Sequence, residues 1–404
     1  MCNLNRQSTY VFVPRILLSA FISLAIFLTA CGGSSKTVVY SADEELELRK
    51  LLHVPEHFSV PRIPDFNPPT IEKISLGRHL FYDKRLSANQ TQSCASCHIQ
   101  ALAFTDGEVT PVGSTNEALA RNSQGLGNAM YHATLTWSSD AFFDLEDQLV
   151  VPLRADNPVE LGVTETHLTE VLSRFNEDPT YVEKFEAAFP DALAGATIKK
   201  IVYALASFCR TLITGGSAYD QYLLGDTTAL NEQQIRGLQI FNGEKFECFH
   251  CHSGINFSTS YIDNNSTPDL QTYPFFNNGL YNINGSGNYP EIDQGLYNLT
   301  QKPQHRGLFR PQSLRNVALT APFMHDGSIA TLREVVQHYA RGGRLMETGV
   351  FAGDGRTNPL KSGLVRGFDA TDEEVDAVVA FLESLTDYEF INNPNLSDPF
   401  EVSR

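Results

Sequence analysis

The sequence predicts a mainly α-helical protein made of two similar domains joined by long irregular loops, and three observations carry that expectation. The pattern C-x-x-C-H occurs twice, as Cys94-Ala95-Ser96-Cys97-His98 and as Cys248-Phe249-His250-Cys251-His252, 154 positions apart. The frame G-x-x-[LI]-F precedes each copy, with Gly77, Leu80 and Phe81 in "LGRHLFYD" and Gly237, Ile240 and Phe241 in "RGLQIFNG". A segment of helical period follows each copy far downstream. In "ATIKKIVYALASFCRTL" Ile201, Ala204, Leu205 and Phe208 share one face, and in "ATDEEVDAVVAFLESL" Val375, Val378, Val379 and Leu382 do the same. Frame, C-x-x-C-H, loops and closing helix thus form one unit that is repeated.

In chain order, residues 1–30 read as a lipoprotein signal peptide. Arg6 and Arg15 precede the apolar run "ILLSAFISLAIFL", which ends at Leu28-Thr29-Ala30-Cys31. A basic start, a short apolar stretch and small residues before a cut mark export rather than a membrane span. "LTAC" resembles a lipobox in which Cys31 carries the lipid; ordinary signal cleavage near Ala30 is the alternative. Residues 31–42 form a Gly/Ser-rich tether, and Gly32 after the cysteine points to the periplasmic face of the outer membrane. The first domain is then 43–222 and the second 223–404, meeting near "TGGSAYDQYLLGD". Residues 253–312 are rich in Asn, Gly, Tyr and Pro without helical period, and so long a stretch is expected to be a functional surface. The formal net charge of −17 argues against nucleic acid or an anionic membrane as partner, since both reward positive charge. The expected membrane contact is the lipid anchor alone.

The two Cys pairs could hold zinc, take part in thiol exchange or attach a haem. Zinc ribbons place their pairs within about 20 residues, and thiol exchange calls for a βαβ context that is absent. Neither explains a histidine directly after the second cysteine in both copies. Covalent haem attachment does, with two thioethers on the porphyrin edge and the next imidazole on the iron. Export agrees with it. The expectation is two cytochrome c-like domains with covalently bound c-type haems on either side of the domain interface. Iron ligands are His98 in the first and His252 in the second; His250 is a bystander and Cys209 a buried, inert thiol.

Over nearly the whole mature chain the sequence resembles the bacterial di-haem cytochrome c peroxidase/MauG superfamily. "LGRHLFYDKRLSANQTQSCASCH", "LRNVALTAPFMHDGS" and "TLREVVQHY" carry the resemblance, and with "ECFHCHSGINFS" they look closest to MbnH-type enzymes of methanobactin operons. In this superfamily the N-terminal haem reacts with hydrogen peroxide and the C-terminal haem has a second axial ligand, methionine in peroxidases and tyrosine in MauG-like enzymes. The matching position is Tyr339, with Met346 a rival that its spacing does not recommend. Many peroxidases carry a distal histidine soon after the first C-x-x-C-H; none occurs here between His98 and Arg121, which implies an open first haem.

The resemblance further implies Glu160 as acid/base for O–O cleavage, Gln148 as a positioning donor and Trp137 as the aromatic relay between the haems. Asn122, Thr320 and Pro322 match the residues around an inter-haem calcium, for which oxygen ligands suit. The implied function is a peroxide-dependent oxidase that stores both oxidising equivalents as a bis-Fe(IV) state. Its substrate would be a tryptophan of an exported, MbnP-like partner protein, oxidised to kynurenine. The rivals are a cytochrome c peroxidase fed by a small cytochrome or copper protein, which Tyr339 disfavours, and a di-haem electron carrier, which would need a second ligand on the first iron.

Overall fold

The computed structural model describes residues 40–193, 195–266 and 274–401. The signal peptide, the lipobox with Cys31 and most of the tether lie outside the described residues. Helices dominate what is described: α1 (Ala42–Leu52), α2 (Ile71–Tyr82), α3 (Cys94–Cys97), α4 (Leu145–Arg154), α5 (Glu165–Asn176), α6 (Pro179–Ala188) and α7 (Ile198–Cys209) in the first half. The second half holds α8 (Ala218–Leu223), α9 (Glu232–Phe241), α10 (Tyr297–Thr300), α11 (Leu332–Ala340), α12 (Asp372–Glu383) and α13 (Tyr388–Asn392). The only described sheet is a small antiparallel ribbon, β1 (Leu345–Met346) against β2 (Gly353–Asp354).

The repeated sequence unit is a repeated helix pair. α2 crosses α7 and α9 crosses α12, and the glycine of each G-x-x-[LI]-F frame sits at the crossing. A Cβ on Gly77 would lie 2.0 Å from the Ala204 carbonyl oxygen, and one on Gly237 would lie 1.9 Å from that of Ala377. Only glycine lets the two backbones approach so closely. The closing helices start alike. Thr197 accepts a bond from the Lys200 amide, and Thr371 from the Glu374 amide, each satisfying an amide that the first helical turn leaves open.

The apolar faces read from the sequence are the buried ones. Ile201, Ala204, Leu205 and Phe208 are fully enclosed with Leu80 and Phe81 in the core of the first half. Val375, Val378 and Leu382 pack with Phe241 and Phe381 in the second, while Val379 is half-buried. Cys209 is buried in a neighbouring cluster, as expected of an inert thiol.

The described residues pack as one unit, and buried charge links its halves. Arg315 forms two bonds to Asp220 of α8, at 2.8 and 2.9 Å, with both side chains enclosed. A second buried pair, Arg210 to Glu146 at 2.7 and 2.8 Å, locks α4 against the end of α7. The described part of the stretch 253–312 contains little regular structure, as its composition foretold. Asparagines replace the missing helix bonds. Buried Asn277 accepts from the Gly279 amide and the Tyr289 hydroxyl, and buried Asn282 accepts from the Gly287 amide and donates to the Asp354 carbonyl.

Candidate functional site

Both C-x-x-C-H segments are short helical turns whose histidines are oriented in the same way. His98 Nδ1 donates to the Phe104 carbonyl at 2.8 Å, and His252 Nδ1 donates to the Phe257 carbonyl at 3.0 Å. With Nδ1 used, Nε2 is left as the lone-pair donor for a metal. Both phenylalanines lie in the left-handed region, at φ 63° and 47°, a strained conformation for a bulky residue. The same backbone conformation thus supports the histidine in both copies of the repeat.

The four cysteines are free thiols. Burial raises Cys97, Cys248 and Cys251 to about 12 and Cys94 further still. Among the described residues the two pairs do not converge on a common point, and the one metal-like cluster there is Glu244, Glu247 and His250 on the surface. A four-cysteine zinc site is thereby ruled out for the described chain.

Cys248, Cys251 and His252 open onto a cavity of about 270 Å³. Leu332, Val335, Val336, Phe246 and Phe368 make its wall apolar, and Tyr339 projects into it from α11. The Tyr339 phenol is pushed up to about 12 by burial, then by the neighbouring Cys251, against a bond from Asn278. The phenol therefore shares the cavity wall with the cysteines of the second motif. Met346 is in β1, away from the cavity wall, whereas Met324, which sequence reading passed over, lines it with φ 75°.

Trp137, Asn122, Thr320 and Pro322 line the same cavity. The Trp137 indole N–H donates to the Asn122 carbonyl at 2.8 Å, and the Trp137 carbonyl accepts from the Arg310 amide at 2.8 Å. Among the described residues neither the Thr320 nor the Pro322 carbonyl accepts a backbone hydrogen bond.

Arg310 is the clearest residue that sequence reading missed. It is buried without a carboxylate, bonded to the Thr136 carbonyl and to the side chains of Gln124 and Gln312. Burial alone lowers it to about 9. Its Nη1 and the Nε2 of Gln312 have no partner. An enclosed cation with an orphaned donor on a cavity wall calls for an anionic ligand. A haem, with an apolar ring and carboxylate side chains, fits that donor set.

At the first motif, Glu160 is half-buried, and its charge acts on both Cys97 and Cys94. Burial alone raises its carboxyl to about 7, with no cation opposing it. Its backbone is fixed by the Ser114 amide on its own carbonyl and by the bond from the Ala88 amide to Leu161. The loop then folds back along α4, where the Leu161 amide donates to the Pro152 carbonyl. Gln148 lies one helical turn before Pro152 and is half-buried.

Two histidine-bearing attachment loops in a helical scaffold, one opening on a walled cavity with a facing tyrosine, define a di-haem c-type oxidoreductase. A family profile described as di-haem cytochrome c peroxidase matches residues 71–228. The chain is 30% identical to the methylamine utilization protein MauG of Methylorubrum extorquens, over 89% of this chain and 91% of that protein. It is 32% identical to the cytochrome-c peroxidase IdrP1 of Pseudomonas sp. (strain SCT), over 90% of each. A solved MauG-like protein associated with microbial copper homeostasis superposes with a TM-score of 0.84 at 43% identity, covering 86% of this chain and 99% of that one. The protein belongs to the di-haem cytochrome c peroxidase/MauG family, and that membership implies two c-type haems.

Proposed function

We propose that this protein is a MauG-like peroxide-dependent oxidase that uses two hydrogen peroxides to remove four electrons from a tryptophan of an exported, MbnP-like partner protein, giving kynurenine with water as the oxygen source and formate as the leaving group. The observation that carries the reading is Tyr339, a phenol on the wall of the cavity that Cys248, Cys251 and His252 also line. A thioether ligand favours reduced iron, whereas an anionic phenolate favours oxidised iron. The likeness to a MauG-like protein supports the same branch.

When bound, a haem pair supplies peroxide activation and storage of two oxidising equivalents. In this reading residues 43–222 and 223–404 each hold one haem, through His98 and through His252 with Tyr339. Glu160 takes a proton from the proximal peroxide oxygen and returns it to the distal one, so that water can leave. Gln148 orients the peroxide. Trp137 couples the two centres, held in place through its bond to Asn122. The free carbonyls of Thr320 and Pro322, with Asn122, are the proposed ligands of a calcium ion. Export as a lipoprotein completes the reading; among the described residues no helix is long and apolar enough to cross a membrane.

The test is EPR of the ferric protein before and after stoichiometric peroxide without reductant. Loss of both ferric signals together supports the oxidase. A ferric protein that stays inert until one haem is reduced makes it a peroxidase instead, consistent with its 32%-identical peroxidase relative.

A further inference from the structure

An aromatic row leads away from the C-terminal cavity and has no part in the function just described. It begins on the cavity wall, where the rings of Phe309 and His325 stack 3.8 Å apart. Tyr289 lies 6.1 Å from both, Tyr281 lies 5.4 Å from Tyr289, and Phe351 lies 5.7 Å from Tyr281. Phe351 is 37% exposed, beside Val350 at 85%, in the turn between β1 and β2. The row is therefore continuous from cavity to solvent.

Most of it would serve equally as core packing; one pair in it does not. The buried Tyr281 hydroxyl donates to Asp326 Oδ2 at 2.5 Å. The Arg344 guanidinium lies 4.6 Å above the Tyr281 ring and 3.8 Å from the same carboxylate. A cation over the ring opposes any positive charge left on it. Tyr281 can therefore lose an electron only if its proton leaves at the same time, and Asp326 is placed to receive that proton. Until then burial, followed by the charge of Asp326, keeps the phenol protonated, with its pKa raised to about 12. Phenylalanine at either end of the row is too hard to oxidise to compete.

We propose that Tyr281 and Asp326 form a redox relay that carries oxidising equivalents from the C-terminal cavity to the 345–354 hairpin, where a docked protein supplies the electron. The proposal rests on the peroxide-oxidase reading. In each pass Tyr281 gives one electron to the oxidised centre in the cavity and its proton to Asp326, leaving a neutral tyrosyl radical and a carboxylic acid. An electron-rich aromatic side chain of the docked protein then returns one electron, and Asp326 returns the proton. Peroxide is the oxidant, and two passes match its two equivalents as it is reduced to water.

Freeze-quench EPR of the haem-loaded protein after one equivalent of peroxide, with no reductant or partner, tests the relay. As the ferric signals return, an organic radical should grow in, with hyperfine structure that collapses when tyrosine is supplied deuterated. Tyr281→Phe should abolish it, and Asp326→Asn, which keeps the contact but cannot take the proton, should abolish it too. Tyr388→Phe, at a 69% exposed tyrosine, should leave it intact. If the ferric signals respond to peroxide but the radical is absent, or survives Tyr281→Phe, the relay is overturned and the oxidase reading stands. Ferric signals that ignore peroxide overturn both.

Discussion

Replacing Glu160 by glutamine separates two consequences of one buried carboxyl. Glu160 is raised to about 7 because burial removes water from it and no cation compensates. Moving a carboxyl from its ordinary 4.5 to about 7 corresponds to about 3 kcal/mol of strain on the ionised form. Since the folded value lies above the unfolded one, the strain is absent below about pH 4.5, grows up to about pH 7 and is constant above. Glu160→Gln should therefore be more stable than the wild type at about pH 8, by up to about 3 kcal/mol, and equal to it at about pH 4. Function should move the other way. Loss of a positioned acid/base costs about 10²–10⁴-fold in rate, or about 3–5 kcal/mol of barrier. Stopped-flow absorbance of the ferric protein with peroxide should show a wild-type rate that rises with pH to about 7 and then levels, because the proton acceptor must be ionised. The variant should be slow and flat over the same range. A Glu160→Gln rate within about threefold of wild type, or an unchanged pH profile, would refute the assignment. A variant that is slow but destabilised would point to a structural role instead.

Arg210→Leu leaves Glu146 buried without its partner and should cost about 3–5 kcal/mol, read as a lower denaturant midpoint at unchanged slope. Because Arg210 and Asn67 overcome burial and hold Glu146 below its ordinary range, the pair's contribution is present above about pH 4.5 and is lost as pH falls through the depressed value, so acid unfolding should begin earlier in Asn67→Ala. Gly77→Ala and Gly237→Ala should each destabilise the protein by about 1–3 kcal/mol, despite the roughly 1 kcal/mol that alanine gains in a helix, because the new methyl meets a carbonyl of the crossing helix. Calorimetry that found either variant more stable would contradict the crossing. Tyr339→Phe should change the ferric EPR signal of one haem only, with two haems per chain still found by pyridine haemochromogen absorbance.

Much of the site was legible because its chemistry is local. The proposed haem attachment needs only five consecutive residues, so Cys94 to His98 and Cys248 to His252 stand out as candidates in the sequence, and the equal spacing of Gly77 and Gly237 from their phenylalanines exposed the repeat. Helical period likewise marked α7 and α12, since an amphipathic face recurs within a few residues. Tyr339 and Trp137 required the resemblance as well, because a lone aromatic on a helix or loop has no local signature of ligation.

Other features belong to the tertiary structure alone. The pKa of Glu160 depends on the groups that enclose it, and those come from distant parts of the chain. Arg310 looks like any surface arginine in "GLFRPQS"; only packing reveals a buried guanidinium with an unpartnered nitrogen on the cavity wall. Tyr281 and Asp326 are 45 positions apart in a segment without period, so no pattern pairs them. The sequence by itself determined the two candidate attachment motifs and the two helix pairs, because these follow from short-range stereochemistry and periodicity. The structure decided which polar groups lose water and which meet, because desolvation and long-range contact are properties of the folded chain.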